Sequence, residues 1–263
     1  MRGATQVIVR EDESGFFLFE QDRHAHLSGI ISEAWDNRYF TGIDKRTSTG
    51  LAITHHDRGW ALLDRKILLH HKTKRPLSFI DYPLRKKIAV YKQGVDEIEQ
   101  VNLYSALLMS LHYTSFFRGK LDIAGCTFRE EEQNRQSRLR ESLAFTEKDE
   151  QALKFHYDLL QFSDNLSLYV CMNEWGAEKE REVPWFSEGF PQRFGVFHNE
   201  RVKARWKSKT EVLVSPFPFS GTRLTITVPF KYIEKVTFQE NDPNRIYRET
   251  SFLYHDVTFT EGG

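Results

Sequence analysis

Residues 51–60 read LAITHHDRGW. A short, mostly apolar, helix-friendly run, Leu51 to Thr54, leads straight into His55, His56 and Asp57. Gly59 and Trp60 follow. Ser48 or Thr49 stands where a helix cap belongs, so the stretch reads as the end of an apolar helix. Two imidazoles and a carboxylate at the end of a buried helix need partners, and the rest of the chain has to supply them.

Upstream, QDRHAHLSGII places His24 one turn before Leu27, Ser28 and Ile31. Helical neighbours at i+3, i+4 and i+7 share a face, so His24 points to the core and His26 elsewhere. Downstream, LLQFSDNLSLYVC sets Asp164 four residues after Leu160 and four before Leu168. That is a carboxylate on the apolar face of the longest expected helix. Burying it unpaired would cost on the order of 5 kcal/mol or more. His112 repeats the pattern on the apolar helix ALLMSLHYTSFF. Taken singly, His112 is the kind of histidine a core satisfies, and Asp164 the kind an arginine or backbone amides hold. Taken together, His24, His56, Asp57, His112 and Asp164 sit on core-facing stripes of four separate helical segments. Imidazoles and carboxylates on facing helices are how bundles build metal sites. Two carboxylates would also neutralise one divalent ion.

The surrounding pattern sets the fold class. TQVIVREDESGFFLFE, residues 5–20, reads as a β-hairpin with an Asp-Glu-Ser-Gly turn. Helical spacing follows over about 22–36, at 84–93 and at 102–117. Residues 129–142 lack an apolar stripe and read as a solvated helix, or alternatively as a lid. Thr146 and Asp149 spell a capping box that opens a helix running to about Trp175, with Leu153, Tyr157, Leu160, Leu168 and Cys171 inward. Residues 61–83 carry Pro76 and Pro83 and read as a long loop. After Gly176 the chain turns to alternating Val, Thr and Phe segments punctuated by proline. The expectation is an α+β protein, mainly α-helical, with an all-α core in its helical unit. Its parts are a hairpin over 1–21, a helical metal-binding unit over 22–176, and a β-rich portion over 177–263 packed on that unit.

Composition narrows the function classes. Lys plus Arg equals Asp plus Glu, 37 each, so there is no strong nucleic-acid signal and no pull toward anionic lipid. Cys126 and Cys171 form no close pair and suit a reducing compartment. No run approaches the roughly 18 apolar residues of a membrane span, and MRGATQVIVRE has no apolar leader core. A cytoplasmic protein with no membrane partner is expected. A second His-Asp pair, His255-Asp256, lies in a strand whose alternation sends the two side chains to opposite faces, so it is set aside.

His24, then His56-Asp57 closing an apolar helix, then the distant Asp164, resembles the HD-domain superfamily of metal-dependent phosphohydrolases. The likeness covers about residues 20–175. HAHLSG, HHDRGW, SLH and DNLSL together also look like an uncharacterised bacterial family with no established activity. The HD resemblance implies an HD-like helical bundle in which His24, His56, Asp57 and Asp164 bind one divalent cation. That ion is Mn, Fe, Co, Ni or Zn. The substrate would be a small phosphorylated molecule. Asp57 and His112 are the catalytic candidates, with His112 a further ligand or the acid that protonates the leaving oxygen. Gln161 would hold a ligand from behind. Arg58, Lys74 and Arg75 are the candidate phosphate donors, or simply solvated surface charges, and RVKARWKSK (201–209) is mainly a strand with a wet basic face. Trp60 and Phe79 would wall a pocket, or simply pack. His55 reads as an exposed neighbour.

Two other readings stand beside this one. Some HD-type folds hold two irons and use oxygen, adding histidines between HD and the last Asp. Here His70, His71, His112 and His156 occupy that interval, although His156 sits off the inward face if Tyr157 points in. The other is a non-catalytic, metal-stabilised sensor or binding protein. A homodimer is left open.

Overall fold

The structure, a computed structural model, describes residues 7–61, 63–119 and 122–262. Residues 1–6 of the expected hairpin unit and residue 263 lie outside the described residues. Strands β1 (Val7–Glu11) and β2 (Gly15–Glu20) pair antiparallel. Asp12 Oδ1 accepts from the backbone amides of Ser14 (2.9 Å) and Gly15 (2.6 Å) and so closes the turn. Helix α1 (Gln21–Glu33) follows at once, then α2 (Arg46–Thr54), which stops just before His55.

Beyond the 61–83 loop come α3 (Leu84–Glu99), α4 (Leu103–Thr114), α5 (Ile123–Ser142) and α6 (Glu147–Met172). The Thr146–Asp149 capping box is formed at the start of α6. Helix α3 outruns its expected end because Val95 and Ile98 continue its buried stripe. Helix α5 differs more. The segment expected to be solvated is the second part of a longer helix with one buried side, made of Phe128, Glu132, Gln136 and Leu139. Arg135 donates to Asp96 (2.5 Å) and Glu99 (2.6 Å) on α3, and pairs with its own Glu132 (3.2 Å). Of the five buried positions, Gly125 included, two are polar and one is glycine, so no apolar period was there to read.

The C-terminal part holds β3 (Lys203–Ser208), β4 (Glu211–Ser215), β5 (Arg223–Glu234), short helices α7 (Lys235–Glu240) and α8 (Pro243–Glu249), and β6 (Leu253–Glu261). Strand β3 buries Ala204 and Trp206 and turns Lys203, Arg205 and Lys207 to solvent. One six-stranded sheet results, in the order β1-β2-β5-β6-β4-β3. Strand β5 makes it continuous: Arg223–Phe230 pairs with β6, and Lys231–Glu234 pairs with β2. All neighbours are antiparallel except β4 and β6.

The expectation of an all-α core is corrected here. Ile31, Trp35 and Leu160 from the helical part share one buried cluster with Val212, Val228 and Phe259 from the sheet. The core is therefore α+β. A helix carries one apolar stripe and a sheet one apolar face, and each has to be covered by another element. Among the described residues no helix is long and apolar enough to cross a membrane.

Candidate metal centre

Helix α1 packs against both α2 and α6. Two glycines allow the close approach. A Cβ at Gly29 would overlap the Thr54 side chain at the end of α2. A Cβ at Gly59 would overlap the Val90 carbonyl oxygen of α3. The glycine that follows His56-Asp57 thus lets the turn lie directly on the α3 backbone.

Within this packing four segments meet: the start of α1, the turn after α2, the last part of α4 and the middle of α6. His24 Nε2 lies 2.9 Å from Asp164 Oδ1. His56 Nε2 stands 3.6 Å from both Asp164 Oδ1 and Asp57 Oδ2. His112 Nε2 is 3.7 Å from Asp164 Oδ2. All five residues are buried. Ligand atoms of His24, His56 and Asp164 lie within 4.8 Å of one another, so this group could hold a metal ion. Asp57 stands beside that trio, and its other oxygen, Oδ1, accepts from Trp60 Nε1 (3.0 Å).

The imidazoles are oriented from behind. A carbonyl only accepts, so the His56 Nδ1–H donates to Ile53 O (2.7 Å). That leaves His56 Nε2 facing two carboxylates, buried and without a hydrogen-bond partner among the described residues. A buried imidazole nitrogen is normally satisfied, and one aimed between carboxylates has the form of a ligand. Ser167 Oγ lies against His24 Nδ1, and Ser28 Oγ lies 3.1 Å from Ser167 Oγ. A hydroxyl can donate or accept, so Ser167 suits either His24 tautomer.

The electrostatics follow from burial among opposite charges. Burial would raise the pKa of Asp164, but the imidazoles of His24, His56 and His112 outweigh it and hold the carboxyl well below its usual range. Burial would lower His56, yet the Asp57 and Asp164 carboxylates hold it up at about 9. Burial dominates at Asp57, which is raised despite His56 and His24. Burial also dominates at His112, pushed down to about 3, so that ring is neutral.

His24, Asp57, His112 and Asp164 line a cavity of about 770 Å³, and His56 lies against them without lining it. Trp60 and Phe79 line it, as do Lys87 and Trp185. The remaining sequence candidates lie elsewhere. Gln161 donates to Ser115 Oγ (3.1 Å), which donates to His112 O (2.6 Å), so it meets the site only through backbone. Arg58 pairs with Glu97 (2.8 Å). Arg75 pairs with Glu11, and it borders, with Lys74, a separate depression beside Lys235. Of the histidines between Asp57 and Asp164, only His112 comes to the cluster. His70 is bonded to Thr73 in the loop, with the His71 ring beside it. His156 is buried after all, held between the Tyr104 hydroxyl (2.5 Å) and Thr41 O (2.7 Å). His26 is exposed, and half-buried His55 lies against its ring. The set-aside pair stays apart from the site: His255 stacks on Trp175 with centroids 3.7 Å apart, and Asp256 accepts from Thr227 (2.6 Å).

Two contributors escaped sequence reasoning. Ser167 is an unremarked serine three residues, just under one turn, after Asp164, and only that spacing hints at it. Lys87 is one of three basic residues opening α3, Arg85, Lys86 and Lys87, and nothing local singles it out.

The family model for DUF3891, described as a protein of unknown function, matches residues 7–235. The chain belongs to this family. The match runs from β1 to the start of α7, so the DUF3891 unit takes in the hairpin, the helices and most of the sheet together. No curated protein and no solved structure matches the chain significantly.

Proposed function

We propose that this DUF3891 protein is a metal-dependent phosphohydrolase of the HD type, acting on a small phosphorylated molecule. The observation that carries the reading is His56 Nε2, buried, 3.6 Å from both Asp57 and Asp164 and without a hydrogen-bond partner among the described residues, next to the His24, Asp57 and Asp164 side chains that line a cavity. The chain order His24, His56-Asp57, Asp164 supports it, because the four HD-like positions lie side by side in space. His24, His56 and Asp164 would hold the ion, with Asp57 completing the set. Such an ion supplies a bound water of lowered pKa and a Lewis acid toward a phosphoryl oxygen.

The residues of the chain do the rest. Ile53 O holds a proton on His56 Nδ1, so the proton that an ion displaces would leave from Nε2, the nitrogen facing the carboxylates. Ser167 can accept from His24 Nδ1–H, which frees the His24 Nε2. Trp60 fixes the rotation of the Asp57 carboxylate. His112 is neutral, with its pKa held far below neutral, which favours a ligand over a proton-transfer role. Lys87 is the one Lys or Arg among the described lining residues and stands where an anionic substrate would enter.

The test is metal content together with turnover. Protein purified without chelator should carry about one transition metal per chain. It should hydrolyse a simple phosphate ester with Mn²⁺, Co²⁺, Ni²⁺, Fe²⁺ or Zn²⁺. Asp57→Ala should fold and lose both. A full panel with no turnover above the Asp57→Ala background overturns the phosphohydrolase. Oxygen uptake with two irons per chain would replace it with the oxygenase.

A further inference from the structure

The cavity has a His/Asp cluster on its buried lining, and its exposed lining is mostly apolar, with the carboxylate of Asp122 as an exposed acid there. Ile80, Leu84, Phe116 and Trp185 all line it, and all four are exposed, at 47%, 36%, 51% and 53%. They account for four of the twelve large hydrophobic side chains exposed among the described residues. They come from three separate stretches: the end of the 61–83 loop with the start of α3, the segment after α4, and the turn Pro184–Phe186. Single exposed hydrophobics are ordinary, but a ring of them around one cavity marks a ligand site. Inside the ring, Phe117, Leu168 and Tyr91 continue the apolar wall down to His112 and Asp164.

One cation stands on this wall. Lys87 Nζ donates to Ile80 O (2.8 Å), which ties the first turn of α3 to the loop carrying Ile80. An ammonium has three donors, and this contact uses one. A small polar substrate would need hydrogen-bonding groups at the mouth and would leave the apolar ring wet. A wholly apolar ligand would strand the carboxylates and imidazoles of the floor.

We propose that the cavity takes an amphipathic ligand, with an anionic head at the His/Asp floor and a flat apolar body against the collar of Ile80, Leu84, Phe116 and Trp185, where Lys87 also stands. The proposal rests on the metal-centre reading of the floor and names the substrate class of that same site. Specificity then resides in the collar, because a phosphoryl head is common to many metabolites.

The experiment is calorimetric binding of two non-hydrolysable probes, 1-naphthylmethylphosphonate and methylphosphonate, to the Mn²⁺-loaded full chain. The naphthyl probe should bind tighter by about tenfold or more, the scale expected for burying one ring system. The ratio should fall toward one in Phe116→Ser/Trp185→Ser and return in Trp185→Phe. Both collar positions are exposed, and thermal melting confirms that the variants fold. Affinities within twofold of each other in the wild type, no binding of either probe, or a ratio kept in the double variant would each overturn the proposal. No turnover enters the measurement. A naphthyl preference without phosphatase activity removes the phosphohydrolase and leaves the amphipathic ligand standing; turnover of small phosphates with equal probe affinities does the reverse.

Discussion

Asp164 accepts from His24 at 2.9 Å while His56, held near pKa 9, stands 3.6 Å away. The carboxylate is therefore a working partner even without metal. Asp164→Leu removes it and strands a buried donor, so the metal-free variant should lose about 3 kcal/mol, the usual cost of breaking a buried pair from one side. A chemical melt of the chelated variant matching wild type would contradict this. The pH dependence has a definite sign. The His56 pKa rises from about 6.5 unfolded to about 9 folded. Its contribution to the metal-free fold is full below about pH 6.5 and is lost as pH climbs through 9. An ion needs the neutral ring, so binding expels that proton. The rise in Tm caused by Mn²⁺ should therefore grow between pH 6.5 and 9; calorimetry showing a flat or shrinking rise would refute it. At this scale the sequence was readable where chemistry clashed with position. A carboxylate or imidazole on an apolar stripe stands out, and so the meeting of His24, His56 and Asp164 could be anticipated. Ser167 could not, because a serine inside a helix is unremarkable until its partner is seen.

At the level of elements, the glycine in HHDRGW acquires its reason. Gly59 lies on the Val90 carbonyl and close to Gly94 of α3. Gly59→Ala should push the Asp57–Trp60 turn away from α3, cost about 2 kcal/mol, and weaken metal binding because Asp57 moves with it. Unchanged Mn²⁺ affinity in a folded Gly59→Ala protein would show that the turn tolerates the shift. Helices α1 to α4 and α6 were legible from their spacing, and the Thr146 cap from its box; the short α7 and α8 were not, and α5 was read as a helix but without its buried side. Its inner side uses Glu132 and Gln136, and its outer charges are pinned by α3 residues more than thirty positions away. Pairing of that kind is tertiary and leaves no local period.

The whole molecule is joined through β5. Phe17 of β2, Phe230 of β5 and Trp175 just past α6 form a ring cluster with centroids 5.2 to 5.7 Å apart. Phe230→Ala should cost about 3–5 kcal/mol. Helical and aromatic signals should still be lost together in a single transition, because helices and sheet share one core. Helical signal outlasting aromatic signal would separate them. The α+β class and the β-rich tail were visible in the alternation after Gly176. The pairing of the first hairpin with β5 was not, since the partners are over two hundred residues apart and nothing in either strand names the other.

The two glycine contacts bear on how an ion would come and go. Close packing of this kind leaves little to settle: Gly59 lies backbone on backbone against Val90, and Gly29 lies against the short Thr54 side chain, so the ligand-bearing segments are held in place beforehand. Little disorder would remain for a metal to remove. A chelator should strip such a site as it empties a rigid macrocycle, leaving the near-ultraviolet dichroism of the emptied protein unchanged, where a zinc finger would unravel.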